Sequence, residues 1–99
     1  MRALNDYLER YGTTAYYQDL FIPQKYLLIG PDSLVQLLLL DGTEQATVIP
    51  RESISYVESN AIDDFRSITI YDKSGNSTSI SVSTNESSLI LDALNQQAA

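Results

Sequence analysis

Glycine, proline and aspartate divide this chain into short apolar segments, and this punctuation limits the folds that are open to it. Gly30, Gly42 and Gly75 each lie between two such segments and indicate turns. The segments themselves have the length and the apolar content of β-strands. Because short turns join successive strands, most of the pairing is expected to be antiparallel. The chain is therefore predicted to be mostly β.

Seven segments are predicted as strands from their apolar residues and, in the last two, from strict alternation of apolar and polar positions. Asp41-Gly42 is a typical hairpin turn between the third and fourth strands. A loop at residues 59–65 is expected to carry Asp63 and Asp64. The predicted strands are residues 16–22, 25–29, 34–40, 45–49, 53–58, 66–71 and 77–82.

The third segment, residues 34–40, is apolar at nearly every position. A strand with one solvated face alternates, whereas a strand that is apolar throughout is covered on both faces. We therefore expect this strand to lie between two layers or at an interface.

A helix is predicted at each end of the strands. Leu4, Leu8 and Tyr11 share one face at helical spacing, and Gly12 is suited to the position that follows a helix. This first helix is expected to cover a sheet end, or alternatively to pair with a helix of another subunit. Ser83 and Glu86 match a capping box at the start of the second helix. The second helix is expected to cover the open end of the strands.

One domain is expected over residues 1–99, with a helix in 1–12, strands in 16–82 and a helix in 84–97. No apolar segment resembles a signal peptide or a membrane span. A cytoplasmic protein is therefore expected.

Composition excludes several kinds of chemistry. The formal charge of −7, from 13 acidic and 6 basic residues, opposes binding to nucleic acid and to membranes with anionic lipids. There is no cysteine and no histidine, so thiolate catalysis and the commonest general base and metal ligand are missing. The sequence predicts no enzyme, no catalytic residue, no cofactor and no metal site.

The strand and helix order resembles that of bacterial pleckstrin-homology-like domains. The residues that carry the resemblance are the corner Val48-Ile49-Pro50 with Ile54 and Val57, then the alternating strands around Gly75, then Leu91 to Leu94. The resemblance implies a seven-stranded half-barrel or sandwich with a C-terminal capping helix, and a role in binding or scaffolding. It does not extend to phosphoinositide binding, because the first hairpins offer only Lys25 as a basic residue.

Tyrosines are the surface feature that favours a protein partner, because they are enriched at interfaces. The alternative is that most of them pack at the edge of the core. Tyr16 and Tyr17 are adjacent, so one is expected on each side of a strand. The possible interaction surface comprises Tyr7, Tyr11, Tyr16, Tyr17, Tyr26, Tyr71, Asp63 and Asp64.

Three functions remain open from the sequence. The first is a non-enzymatic protein-interaction or assembly module that binds a partner protein. A second copy of the chain is one candidate for that partner. The second is an acidic inhibitor of phage or plasmid type that occupies a basic nucleic-acid-binding site. The third is a small hydrolase that uses carboxylates, which needs a pocket with two converging acids.

Overall fold

The computed structural model describes residues 2–95, with side chains from Leu4 onwards. Residues 96 and 97 of the predicted second helix lie outside this range. The elements in chain order are α1 (Arg2–Arg10), β1 (Ala15–Gln18), β2 (Lys25–Ile29), β3 (Ser33–Leu40), β4 (Thr43–Pro50), a short 3₁₀ helix (Arg51–Ser53), β5 (Ile54–Ile62), β6 (Phe65–Asp72), β7 (Ser77–Ser83) and α2 (Thr84–Asn95).

The strands form two antiparallel sheets. Sheet A has the order β1-β2-β3-β4, and sheet B has the order β5-β6-β7. Every neighbour within a sheet is also the next strand along the chain. The predicted mostly β fold with seven antiparallel strands and a helix at each end is confirmed at this level.

The main core lies between the two sheets and is closed by α2. Alternate residues of β6 and β7 point into it, as the alternation of the sequence predicts. Ile90 of α2 is fully buried in this core, and Leu91, Ala93 and Leu94 pack against it. The buried residues of the core are Leu27, Ile29, Leu34, Ile49, Ile68, Ile70, Ile80, Val82 and Ile90.

Helix α1 covers the outer face of sheet A, so the expectation that it covers a sheet end is wrong. Leu4 packs with a second buried cluster formed by Tyr26, Leu28, Val35 and Leu37. Both β2 and β3 present apolar residues to this face as well as to the main core. A helix laid across the sheet removes more of this surface from water than one at the end. The predicted cover on both faces of β3 is confirmed.

The C-terminal end of α1 and the N-terminal end of α2 are capped as the local sequence predicts. The N–H of Gly12 donates to Glu9 and that of Thr13 to Leu8, which is the Schellman pattern, and Gly12 has a φ of 60°. At the start of α2, Ser83 Oγ accepts the Glu86 N–H at 3.2 Å. The Glu86 carboxylate accepts the Ser83 hydroxyl rather than the backbone N–H.

Two strand boundaries differ from the prediction by four residues, and the others differ by no more than two. Strand β5 continues to Ile62 and pairs with Phe65 of β6, so the loop expected at residues 59–65 is reduced to the turn Asp63-Asp64. A register irregularity between Ile54 and Tyr56 turns Ile54 and Val57 to the same side, where both pack on the core. The first strand ends at Gln18 instead of Ile22.

Arg51 connects the end of α2 to a turn of sheet A. Its Nε donates to the Gly30 carbonyl at 2.9 Å and its Nη1 donates to the Ala93 carbonyl at 3.1 Å. The second bond satisfies a carbonyl in the last turn of α2, where a cation is also favourable. This one side chain therefore holds the capping helix in place over the corner between the two sheets.

Replacing this guanidinium tests its structural role. Arg51→Met keeps the aliphatic stem but leaves two partly buried carbonyls without their donor, so we expect a loss of about 1 to 3 kcal/mol of unfolding free energy. Chemical denaturation measures the loss. Lys73→Met removes the same charge from an exposed turn and is expected to change stability by less than about 0.5 kcal/mol. Equal effects of the two variants would contradict the proposed bridge.

Candidate interaction surface

A buried aspartate shapes the connection between β1 and β2. Asp19 is only 6 % exposed, and its Oδ1 accepts the backbone N–H groups of Phe21 and Ile22 at 2.8 and 2.9 Å. Its Oδ2 accepts the Ser81 N–H of β7 at 2.9 Å. The Leu20 N–H donates to the Ser81 carbonyl. These bonds end β1, fold the loop back and fasten it to the edge of sheet B.

The loop that Asp19 holds exposes three apolar side chains in succession. Leu20 is 50 % exposed and Phe21 is 64 % exposed, and Ile22 is also exposed. The Phe21 ring meets the half-buried Phe65 ring edge to face, with centroids 4.8 Å apart. Ile62 lies opposite Phe65 in the register of sheet B and is exposed. We call this set, Leu20, Phe21, Ile22, Ile62 and Phe65, the apolar corner.

Asp63 and Asp64 lie at the tip of the hairpin that carries the corner, between Ile62 and Phe65. Asp63 has a φ of 53°, a left-handed conformation that aspartate tolerates better than most residues. Both carboxylates are exposed. The corner is therefore an apolar surface with negative charge on one side.

The apolar corner is one end of the outer face of sheet B. Tyr56 and Tyr71 lie opposite each other at the other end, and their rings stack with centroids 4.4 Å apart. The Tyr71 hydroxyl hydrogen bonds to Glu58, and this bond raises the pKa of Tyr71. Small polar residues fill the middle of the face, namely Asn60, Ser67, Thr69, Ser79 and Ser81.

The structure separates the tyrosines that the sequence singled out. Tyr16 is exposed on the outer side of sheet A, whereas Tyr17 packs against the main core. Tyr26 is buried under α1, with its ring 6.4 Å from that of Tyr16. Tyr71 lies on the outer face of sheet B, which also ends at Asp63 and Asp64.

Tyr7 and Tyr11 stack on each other in α1, with centroids 6.4 Å apart, and pack against the cluster beneath the helix. Arg10 lies over the Tyr7 ring at 5.3 Å. The Tyr7 hydroxyl donates to Glu44 Oε1 at 3.1 Å, which raises the Tyr7 pKa. These two tyrosines therefore fasten α1 to sheet A.

A shallow cleft lies at the corner between the sheets. It is lined by Pro31, Asp32, Pro50, Arg51 and Glu52. The acidic side chains Asp32 and Glu52 are exposed, while the Arg51 guanidinium is engaged with two backbone carbonyls.

Over residues 4–95, no three acidic side chains lie close enough together to hold a metal ion. Neither described helix is long and apolar enough to cross a membrane.

Comparison with protein-family models, with curated proteins and with solved structures gives no match. The functional conclusion therefore rests on the geometry.

Sequence reasoning missed Asp19 and the three apolar residues after it, because residues 16–22 resemble a continuous strand. The signal that was available is an aspartate followed by apolar residues and then Pro23, a pattern in which the carboxylate accepts nearby backbone N–H groups.

Removing the Asp19 carboxylate tests the loop anchor. Asp19→Ala leaves three backbone N–H groups without their acceptor, so we expect the unfolding free energy to fall by about 2 to 4 kcal/mol. The amides of Phe21, Ile22 and Ser81 should lose protection from hydrogen exchange. Asp92→Ala removes an exposed carboxylate from α2 and serves as the control. Unchanged protection at Phe21 and Ile22 in Asp19→Ala would show that the carboxylate does not hold the loop.

The titration of Tyr71 tests its bond to Glu58. Because the native state raises the pKa of Tyr71, the stabilisation is present below about pH 10 and is lost as the pH rises through the raised pKa. Glu58→Gln removes the negative charge, so the pKa of Tyr71 should move down towards its ordinary value. NMR of the tyrosine rings measures the shift. Glu44→Gln should lower the pKa of Tyr7 and leave Tyr71 unchanged, and the opposite pattern would refute the pairing.

Proposed function

We propose that this chain is a non-enzymatic protein-interaction module that binds a partner protein through the apolar corner. The observation that carries the proposal is the loop after β1, where a buried carboxylate holds three successive apolar residues in solvent. Apolar residues that are contiguous and exposed indicate a binding surface more often than scattered ones do.

Rigidity distinguishes this loop from an ordinary exposed turn. The Asp19 carboxylate accepts two N–H groups of the loop and one of β7, so the loop backbone is tied to sheet B. The Phe21 ring is also positioned by Phe65. A partner that binds such a preorganised surface loses less conformational entropy than one that must order a flexible loop. Aromatic anchors of this kind supply much of the binding energy at protein interfaces.

A pleckstrin-homology-like fold is the finer assignment that we propose for this architecture. Its support is the division of the seven strands into sheets of four and three, followed by α2. Arg51 lies after Pro50, where the family commonly has an aromatic residue. Here the Arg51 guanidinium joins the turn after Pro50 to the C-terminal end of α2. A shared fold does not by itself supply the partner.

Substitution of Phe21 tests the proposed binding surface. Affinity purification from the native host with the wild-type chain, Phe21→Ser and Leu40→Ser should recover the same protein with the wild type and with Leu40→Ser only. Leu40 is also an exposed apolar residue but lies at the hairpin of β3 and β4, so it is the matched control. With the purified partner, Phe21→Ser should weaken binding at least tenfold, because it removes an aromatic anchor.

Two results would overturn the proposal. One is a partner that binds wild type and Phe21→Ser with equal affinity. The other is equal loss of binding with Phe21→Ser and Leu40→Ser, which would place the contact elsewhere or reflect a general loss of solubility. Circular dichroism and denaturation of each variant distinguish loss of folding from loss of the contact. Self-association of the wild type in light scattering, removed by Phe21→Ser, would identify the partner as a second copy.

A further inference from the structure

We propose that the outer face of sheet B binds an extended segment of a partner protein that has a cationic side chain and an apolar side chain six residues apart. The apolar side chain contacts the apolar corner, and the cationic one contacts Tyr56 and Glu58. This inference rests on the proposed binding role of the corner and identifies the chemistry of its partner.

The Tyr56 end of the face has the groups that bind a cation. Tyr56 is 54 % exposed and lies on β5, which pairs with no other described strand on its free side. One ring face stacks on Tyr71, and the ring remains accessible from the free side of β5. A Lys or Arg side chain over a tyrosine ring is attracted by the ring quadrupole.

Glu58 adds a negative charge beside this ring. It lies two residues after Tyr56 on the same side of the strand, which places their Cα atoms about 7 Å apart. Its carboxylate already accepts the Tyr71 hydroxyl and has further acceptor sites for a cationic donor. A carboxylate beside an exposed aromatic ring therefore favours a cation over an apolar group at this end.

The distance between the two ends of the outer face sets the separation of the two side chains in the bound segment. Phe65 and Tyr71 are six residues apart on β6, which corresponds to about 20 Å of extended chain. Side chains of an extended segment point to the same side at even separations only. A segment that lies along β6 therefore reaches both ends with residues six apart, but not with residues five or seven apart.

The middle of the face allows such a segment to approach closely. Ser67 and Thr69 of β6 and Ser79 and Ser81 of β7 point outward there, between larger side chains at both ends. Their hydroxyl groups offer hydrogen bonds to a backbone or to polar side chains. The face therefore has small side chains in its middle and aromatic side chains at both ends.

The charges on the outer face of sheet B favour a basic partner over a second copy of this chain. The three strands carry one lysine or arginine, Arg66, and it hydrogen bonds to Ser59 on the core side of the sheet. Glu58 on the face and Asp63 and Asp64 at its tip are acidic. A second copy would bring another net charge of −7 to this surface, which opposes self-association.

Synthetic peptides test the inference directly. The first probe is a serine- and threonine-rich peptide with capped ends, whose one charged residue is an arginine six residues from a phenylalanine. The second has the same composition with a separation of five, and the third has glutamate in place of arginine. NMR titration of the full chain should show the first peptide binding at least tenfold more tightly than the other two, with shifts at Tyr56, Thr69 and Phe65.

Variants of the chain separate the two ends of the site. Tyr56→Ala should weaken binding of the first peptide by about two- to thirtyfold, whereas Tyr56→Phe keeps the ring and should leave it unchanged. Glu58→Gln keeps an acceptor for Tyr71 but removes the charge, and should weaken the arginine peptide while leaving the glutamate peptide no weaker. Phe21→Ser should weaken every peptide that contains phenylalanine.

The outcomes distinguish this inference from the proposed function. Binding that depends on Phe21 but not on Tyr56, Glu58 or the spacing would overturn the cationic end and leave the apolar corner in place. Dependence on Tyr56 without dependence on Phe21 would overturn the two-ended segment and the proposed corner together. Absence of binding by all three peptides at millimolar concentration would overturn the extended-segment inference, whatever the host partner proves to be.

Discussion

The layers of this fold are arranged so that β2 and β3, the two central strands of sheet A, are buried on both faces. Strands β2 and β3 are apolar toward both sides, so a two-layer arrangement would leave one side in water. Helix α1 covers one side with Leu4, and sheet B together with α2 covers the other. The three layers thus follow from the hydrophobic effect acting on a pair of strands that lack a polar face.

Two charged side chains then join the layers where packing alone does not specify the connection. Asp19 ties the loop after β1 to β7, and Arg51 ties the end of α2 to the Gly30 turn. Each satisfies backbone groups that would otherwise be partly buried without a partner. Both interactions act over long sequence separations, so each couples the position of a surface loop or helix to the core beneath it.

The layers and the two charged side chains also determine which residues are exposed at the surface. Asp19 is buried, and the three apolar residues after it are exposed. This reverses the usual relation between polarity and burial. The outer face of sheet B has aromatic residues at its ends and small hydroxyl residues between them. Tyr56 is exposed on an edge strand, whereas Tyr26 has similar chemistry but is buried under α1. Position in the layers, rather than residue type, decides which tyrosines are available.

Local sequence patterns predict the mostly β class, the seven strands, the turn at Gly42 and the caps at Gly12 and Ser83. These features depend on local alternation and on hydrogen bonds within a few residues, which are visible in a short window. Three other features appear only in the folded chain, namely the packing of α1 on the outer face of sheet A, the end of β1 at Gln18 and the contact of Phe21 with Phe65. Each of these depends on contacts between residues distant in sequence, such as Asp19 with Ser81, and no local pattern records which distant backbone group a carboxylate will meet.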